Sequence, residues 1–179
     1  MMLLERAKSL LLLVDMQERL VPAMAGAADV TANCSILLRA AEALAVPVLA
    51  SEQYPQGLGS TIPALAELAP RRLEKLEFSA YANPTIRDEL SRTGRRQMVL
   101  CGIEAHVCVL QTGLELIEAG FQVFVVADAV ASRRPESREV ALHRLGRAGA
   151  TRITVEMALF EWLRSAGAPE FRTISRLIR

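Results

Sequence analysis

Three residues of this chain carry side chains that together could run nucleophilic chemistry: Asp15, Lys75 and Cys108. Cys108 follows the apolar run Met98-Val99-Leu100-Cys101-Gly102 and opens a segment with helical character, His106 to Ala119. At a helix start a thiol meets unpaired backbone N–H groups and the positive end of the helix dipole, and both favour the thiolate. The competing reading is packing, since a free cysteine is a small apolar side chain that is commonly buried. Asp15 ends the apolar run Leu10 to Val14, where a turn or capping role competes with a chemical one. Lys75 stands out through composition: the chain has nineteen Arg and only two Lys, Lys8 and Lys75. An ammonium is a compact charge that can be buried beside a carboxylate, whereas a guanidinium is a wide, permanently charged fork. Together the three suit a cysteine nucleophile whose proton is taken by a carboxylate and whose charge is balanced by an ammonium.

The elements that must position them alternate along the chain. Leu10 to Val14, Pro47 to Ala50, Arg72 to Phe78, Gln97 to Ile103, Gln122 to Ala127 and Arg152 to Val155 read as strands. Helical spacing predicts Val30–Ala45, Ile62–Leu68, a helix opened by Asn83-Pro84 and running to Thr93, His106–Ala119, Ser137–Ala148, Glu156–Ser165 and Glu170–Ile178. The C-terminal helix has an apolar side that suits either its own core or a neighbour's. Unbroken apolar strands between helices predict an α/β fold, a three-layer Rossmann-like doubly wound sheet. It is mostly parallel, with about six strands and helices on both faces. In such a sheet, ligands bind beyond the carboxyl ends of the strands where strand order reverses. Asp15 lies just past the first strand, Cys108 just past the fourth, and Lys75 in or at the end of the third.

Bulk properties narrow the rest. The 179 residues, half of them apolar, fit a single domain spanning 1–179. A formal net charge of +1 and the lack of a basic, aromatic-interleaved cluster argue against a nucleic-acid partner. No apolar stretch near the N-terminus approaches the roughly 20 residues of a bilayer span, so no membrane partner is expected. No signal-peptide pattern precedes the first strand. Three cysteines, Cys34, Cys101 and Cys108, form neither a CxxC nor a zinc spacing, so no metal is expected and a reducing cytoplasm fits best. After Asp15 comes Met16-Gln17-Glu18-Arg19 rather than a glycine-rich loop, which disfavours a dinucleotide; no cofactor is expected.

Four segments, in order, resemble the isochorismatase-like cysteine hydrolases. Leu12-Leu13-Val14-Asp15-Met16-Gln17 resembles that family's first-strand aspartate motif, and Lys75 ahead of Phe78-Ser79-Ala80 its lysine segment. Gly102-Ile103-Glu104-Ala105-His106-Val107-Cys108-Val109 resembles its nucleophile motif, and Asp128 to Arg133 the segment after its fifth strand. Ser51 to Gly59 and Gly102 to His106 look closest to the isochorismatase-domain-containing branch, whose substrates are unsettled. The resemblance implies Asp15 as base, Lys75 as electrostatic partner and Cys108 as nucleophile on a small amide-like C–N bond, through an acyl thioester. It also implies a cis peptide between Ile103 and Glu104, and an oxyanion hole made by the backbone N–H groups of Glu104 and Cys108. Family members are usually oligomeric, so a homo-oligomer acting on a small-molecule substrate is expected. Nicotinamidases of the family carry metal-binding residues after the second strand; Ser51-Glu52-Gln53-Tyr54 lacks that set.

Gln17, Tyr54, Phe78, Tyr81 and His106 are the expected substrate-binding residues, mostly because they fall near the ends of the relevant strands. Each aromatic has a core-packing alternative. Two other functions stay open on sequence alone: a thiol redox protein using Cys108, and a non-catalytic scaffold retaining the fold.

Overall fold

The computed structural model describes residues 3–178. Its sheet explains why the strands are apolar throughout. β1 (Ser9–Val14) is buried along all six residues, and alternate side chains leave on opposite faces. Leu11 and Leu13 join one core, while Leu10, Leu12 and Val14 join another. β4 (Gln97–Ile103) divides in the same way, with Val99, Cys101 and Ile103 on the first side and Met98 and Leu100 on the second. A strand covered on both faces has no polar side to show, which is why the alternation of an exposed sheet is missing.

β2 (Val48–Gln53), β3 (Arg72–Lys75), β5 (Gln122–Ala131) and β6 (Thr151–Ile153) complete a six-stranded sheet of order β3-β2-β1-β4-β5-β6. Every strand pair is parallel. The helices are α1 (Ala27–Ala43), α2 (Pro55–Leu58), α3 (Pro63–Ala66), α4 (Pro84–Arg92), α5 (Leu110–Glu118), α6 (Pro135–Ala148), α7 (Val155–Leu163) and α8 (Phe171–Arg176). α1, α7 and α8 pack on the face that holds Leu11 and Val99, and α4, α5 and α6 on the other. This is the three-layer, doubly wound α/β architecture, with strand order reversing between β1 and β4. No helix among the described residues is long and apolar enough to cross a membrane.

Several boundaries differ from the sequence expectation, each for a local reason. The expected helix Ile62–Leu68 shrinks to the single turn of α3, held between Pro63 and Pro70. β3 stops at Lys75 rather than Phe78, because Lys75 turns its ammonium inward and the next residues fold around it. β5 runs on to Ala131: after a break in register, Gly102 and Ile103 of β4 pair with Val130 and Ala131. α8 packs on the chain's own core through the fully buried Ile174. α4 starts as expected, with Asn83 accepting from the Ile86 N–H and Pro84 in the first turn.

At Gly102 close approach to backbone dictates the residue. Its φ of 111° lies outside the range that other residues readily adopt, and a Cβ there would overlap the Val14 backbone. Gly102→Ala is therefore expected to lower stability by at least about 3 kcal/mol, since neither strand can yield without breaking the central pairing. An unfolding free energy from urea titration within about 1 kcal/mol of the wild type would contradict this packing.

Candidate active site

The carboxyl ends of β1, β2 and β3 bring distant polar residues into one buried cluster. Register sets it: Val14 pairs with Ser51, and Gln53 pairs with Lys75. Asp15 follows β1 with a φ of 49°, and its N–H donates to the Ser51 carbonyl at 3.1 Å. That turn aims the carboxylate across the sheet edge. Asp15 Oδ2 lies 2.7 Å from Lys75 Nζ, and neither side chain has exposed surface. The Ser51 hydroxyl donates to Asp15 Oδ1 at 2.7 Å, so both carboxylate oxygens are engaged. Lys75 Nζ also donates to Gln53 Oε1 at 2.6 Å and to the carbonyls of Glu77 and Phe78, each at 3.2 Å. A tetrahedral ammonium can reach acceptors arranged around it in this way; a flat guanidinium could not.

Cys108 approaches from β4. The segment between β4 and α5, Ala105–Val109, winds as a π-helical turn, so Cys108 is not the first residue of an α-helix. The residue is 6% exposed, and its Sγ lies 3.9 Å from Gln53 Oε1. Burial pushes its pKa up first and the Asp15 charge adds to this, while Lys75 pulls the other way; together they bring it to about 12. The resting group is therefore a neutral thiol. This runs against the expectation that a helix start and a nearby ammonium favour the thiolate, because burial and the Asp15 charge outweigh the pull of Lys75.

Cys34 and Cys101 belong elsewhere. Both are fully buried in the core on the sheet face opposite that of Cys108. Hydrogen bonding to Cys101, with burial, pushes the Cys34 thiol well above its ordinary value.

The expected substrate-binding residues separate into different roles. Gln17 is buried, and its amide is spent on the backbone: Nε2 donates to the carbonyls of Gln53 at 2.9 Å and Gly59 at 2.7 Å, while Oε1 accepts from the Gln53 N–H at 2.7 Å. It shapes the loop after β2 and has no polar group left for a ligand, which corrects its placement among substrate contacts. Tyr81 packs edge-on against Phe121, ring centroids 5.9 Å apart, and so takes its core-packing alternative. Tyr54 and Phe78 stand at the rim, 51% and 55% exposed. His106 Nδ1 lies 3.0 Å from Ser132 Oγ, and the ring lines a cavity of about 530 Å³ with Arg133, Arg134 and Ser137. The Ile103–Glu104 peptide is cis. The Glu104 carboxylate accepts from Arg133 Nε at 3.0 Å and from the Arg133 N–H at 3.3 Å.

Two members of the cluster escaped sequence reasoning. The segment holding Ser51 and Gln53 enters the sequence reading as part of a family resemblance and as lacking a metal-binding set, yet these two side chains hold Asp15 and Lys75 in place. The available signal was a polar Ser-Glu-Gln triplet closing an apolar strand, in which positions 51 and 53 share one face. Glu52, on the other face, accepts from the Thr61 N–H and hydroxyl, each at 2.7 Å, and pins the loop instead. Among the described residues no three His, Cys, Asp or Glu side chains gather as metal ligands would.

Removing one partner of a buried ion pair leaves the other charge uncompensated, so Lys75→Ala is expected to cost about 3–5 kcal/mol, read by urea unfolding. Lys75→Arg keeps the charge and should still destabilise, because its fork does not fit those acceptors. Iodoacetamide alkylation of Cys108, followed by mass spectrometry, should accelerate steadily from about pH 8 to about pH 11. An ordinary thiol would level off near 9.0; such a plateau for Cys108 would contradict the buried neutral thiol.

Residues 9–157 match the family model for the isochorismatase domain. Isochorismatase domain-containing protein 2 of Pongo abelii is 42% identical over 172 residues, which cover 96% of this chain and 83% of that protein. A solved structure described as MAR1 ribonuclease from Caenorhabditis elegans superposes with a TM-score of 0.93 at 34% identity, covering 99% of this chain and 92% of that one. YcaC from Pseudomonas aeruginosa, solved with hexane-2,5-diol and covalent acrylamide, gives 0.89 at 25% identity, covering 98% and 95%. With the sheet order and strand-end cluster already described, similarity over nearly its whole length makes this chain a member of the isochorismatase-like hydrolase family.

Proposed function

We propose that this hydrolase cleaves a small amide-like C–N bond through an acyl thioester on Cys108. The observation that carries the reading is the fully buried Asp15–Lys75 pair, 2.7 Å apart, acting on a neutral thiol at the point where strand order reverses. As Cys108 Sγ bonds to the carbonyl carbon, its proton passes to Asp15. The backbone N–H groups of Glu104 and Cys108 receive the developing oxyanion. Collapse breaks the C–N bond, and the departing amine takes the proton from Asp15. Water then attacks the thioester, again losing its proton to Asp15, and the carboxylic acid leaves as the thiol is restored. Lys75 keeps the carboxylate aimed and balances its charge through the cycle.

The competing readings fit less well. A dithiol redox cycle needs a resolving thiol near Cys108, and Cys34 and Cys101 lie across the sheet from it. The C. elegans neighbour is described as a ribonuclease. In this chain Asp15 and Lys75 are wholly enclosed and Cys108 nearly so, which suits a small molecule better than a polynucleotide backbone. The covalent acrylamide of the P. aeruginosa neighbour is a small amide that reacts with nucleophiles, in keeping with a reactive group on this fold.

The test is a small-amide library with intact-mass detection after acid quenching. An acyl mass on the wild-type chain, lost in Cys108→Ala, is the expected result, and Asp15→Asn should slow turnover by about 10²- to 10⁴-fold. Hydrolysis that survives Cys108→Ala would sink the covalent reading. Cleavage of an RNA oligonucleotide, with no amide turned over, would replace it with the ribonuclease reading.

A further inference from the structure

Gln53, the last residue of β2, is fixed from several directions at once. Its main chain is clasped by the Gln17 amide, which donates to the Gln53 carbonyl at 2.9 Å and accepts from the Gln53 N–H at 2.7 Å. Its own amide spans the site. Oε1 accepts from Lys75 Nζ at 2.6 Å and faces Cys108 Sγ at 3.9 Å, while Nε2 donates to the Leu76 carbonyl at 2.8 Å. The reverse orientation would set an amide NH₂ against an ammonium and an oxygen against a carbonyl, so both ends of the amide dictate which atom points inward. One oxygen is thereby shared between the ammonium and the thiol.

The consequence lies in how the ammonium is shared out. Lys75 has three N–H donors, and oxygens of Asp15, Gln53, Glu77 and Phe78 all lie within hydrogen-bond reach of its nitrogen. No donor is left over for the sulfur. Lys75 does favour the Cys108 thiolate, but its charge does so by less than the Asp15 charge opposes it. Asp15 is held by its charge, and the oxygens of Glu77 and Phe78 are main chain; Gln53 alone of the four is a neutral side chain, and its bond is the least costly to give up. The remaining charges nearby are occupied. Glu104, on the turn before Cys108, pairs with Arg133, and His106 is turned to Ser132. The Glu77 carboxylate accepts from Asn83 and from the Leu76 N–H, and Glu52 faces Thr61 across the strand. Cys108 is therefore governed by Asp15, Lys75 and the amide between them.

We infer that Gln53 is a positioning residue that holds the Lys75 ammonium off the Cys108 sulfur, and so sets how readily the thiol yields its proton. When the sulfur takes on charge, one Lys75 N–H exchanges Gln53 Oε1 for it, an exchange that a neutral amide permits and a carboxylate at position 53 would resist. The inference rests on Cys108 being the reactive thiol of the proposed function, and its test needs no substrate. Wild type, Gln53→Met and Gln53→Glu are labelled with iodoacetamide from about pH 8 to about pH 11, and Cys108 is followed by mass spectrometry. Methionine matches glutamine in length but releases the ammonium; glutamate binds it more tightly and adds a negative charge beside the sulfur. The two substitutions should therefore move the thiol in opposite directions. At about pH 9 Gln53→Met should label about threefold faster and Gln53→Glu about threefold slower, a tenfold change in thiolate offset in part by the lower nucleophilicity of a more acidic thiol. N-ethylmaleimide, a bulkier reagent, should give the same factors, because the change lies in the sulfur and not in access to it. Shifts of both variants in one direction, or in neither, overturn the role of Gln53 while leaving Cys108 reactive. Protection of the buried Cys34 and Cys101 reports that each variant keeps its fold; Gln53→Leu carries the expectation if Gln53→Met does not, and unfolding of both would make Gln53 a residue of the fold and overturn its assignment. Labelling of wild-type Cys108 no faster than of Cys34 and Cys101 overturns the reactive thiol itself, and this inference with it.

Discussion

The contact between Asp15 and Lys75 constrains everything around it. Two opposite charges without solvent are tolerated only when attraction and hydrogen bonding offset several kcal/mol of lost hydration per ion. The offset here comes from Ser51 on one carboxylate oxygen, and from Gln53 and two backbone carbonyls on the ammonium. Each of those partners is placed by a strand end or by the turn that follows it. The pair therefore depends on the register of three strands, and the close of β3 is in turn shaped around the pair.

The same pair also acts on the thiol. Burial raises the Cys108 pKa most, the Asp15 charge adds to this and Lys75 opposes it. Under the proposed mechanism the sulfur takes on charge only as a carbonyl arrives to share the electrons, and the Asp15 carboxylate is the group that receives its proton.

Much of this was legible in the residues. Apolar runs long enough for strands but lacking alternation indicated a sheet covered on both faces, and the alternation of strand and helix indicated parallel pairing. Lys75 stood out because the chain otherwise uses arginine. The misreadings share a physical origin. Ile62–Leu68 has helical spacing, yet prolines at 63 and 70 leave room for one turn. Tyr81 sits where a pocket residue would, yet Phe121, forty positions on, offers its ring a packing partner. Gln17 looks like a ligand contact beside Asp15, yet its amide is bonded to the loop after β2.

By itself, then, the sequence determined the class of fold, the candidate reactive groups and the sheet edge at which they gather, because periodicity and residue chemistry are local properties written along the chain. The tertiary structure alone decided that Ser51 and Gln53 complete the cluster, that the turn before α5 is π-helical, and that burial raises the Cys108 pKa. Those outcomes depend on which distant atoms come within about 3 Å of one another and how much water they lose on the way, and neither quantity is carried by any single stretch of residues.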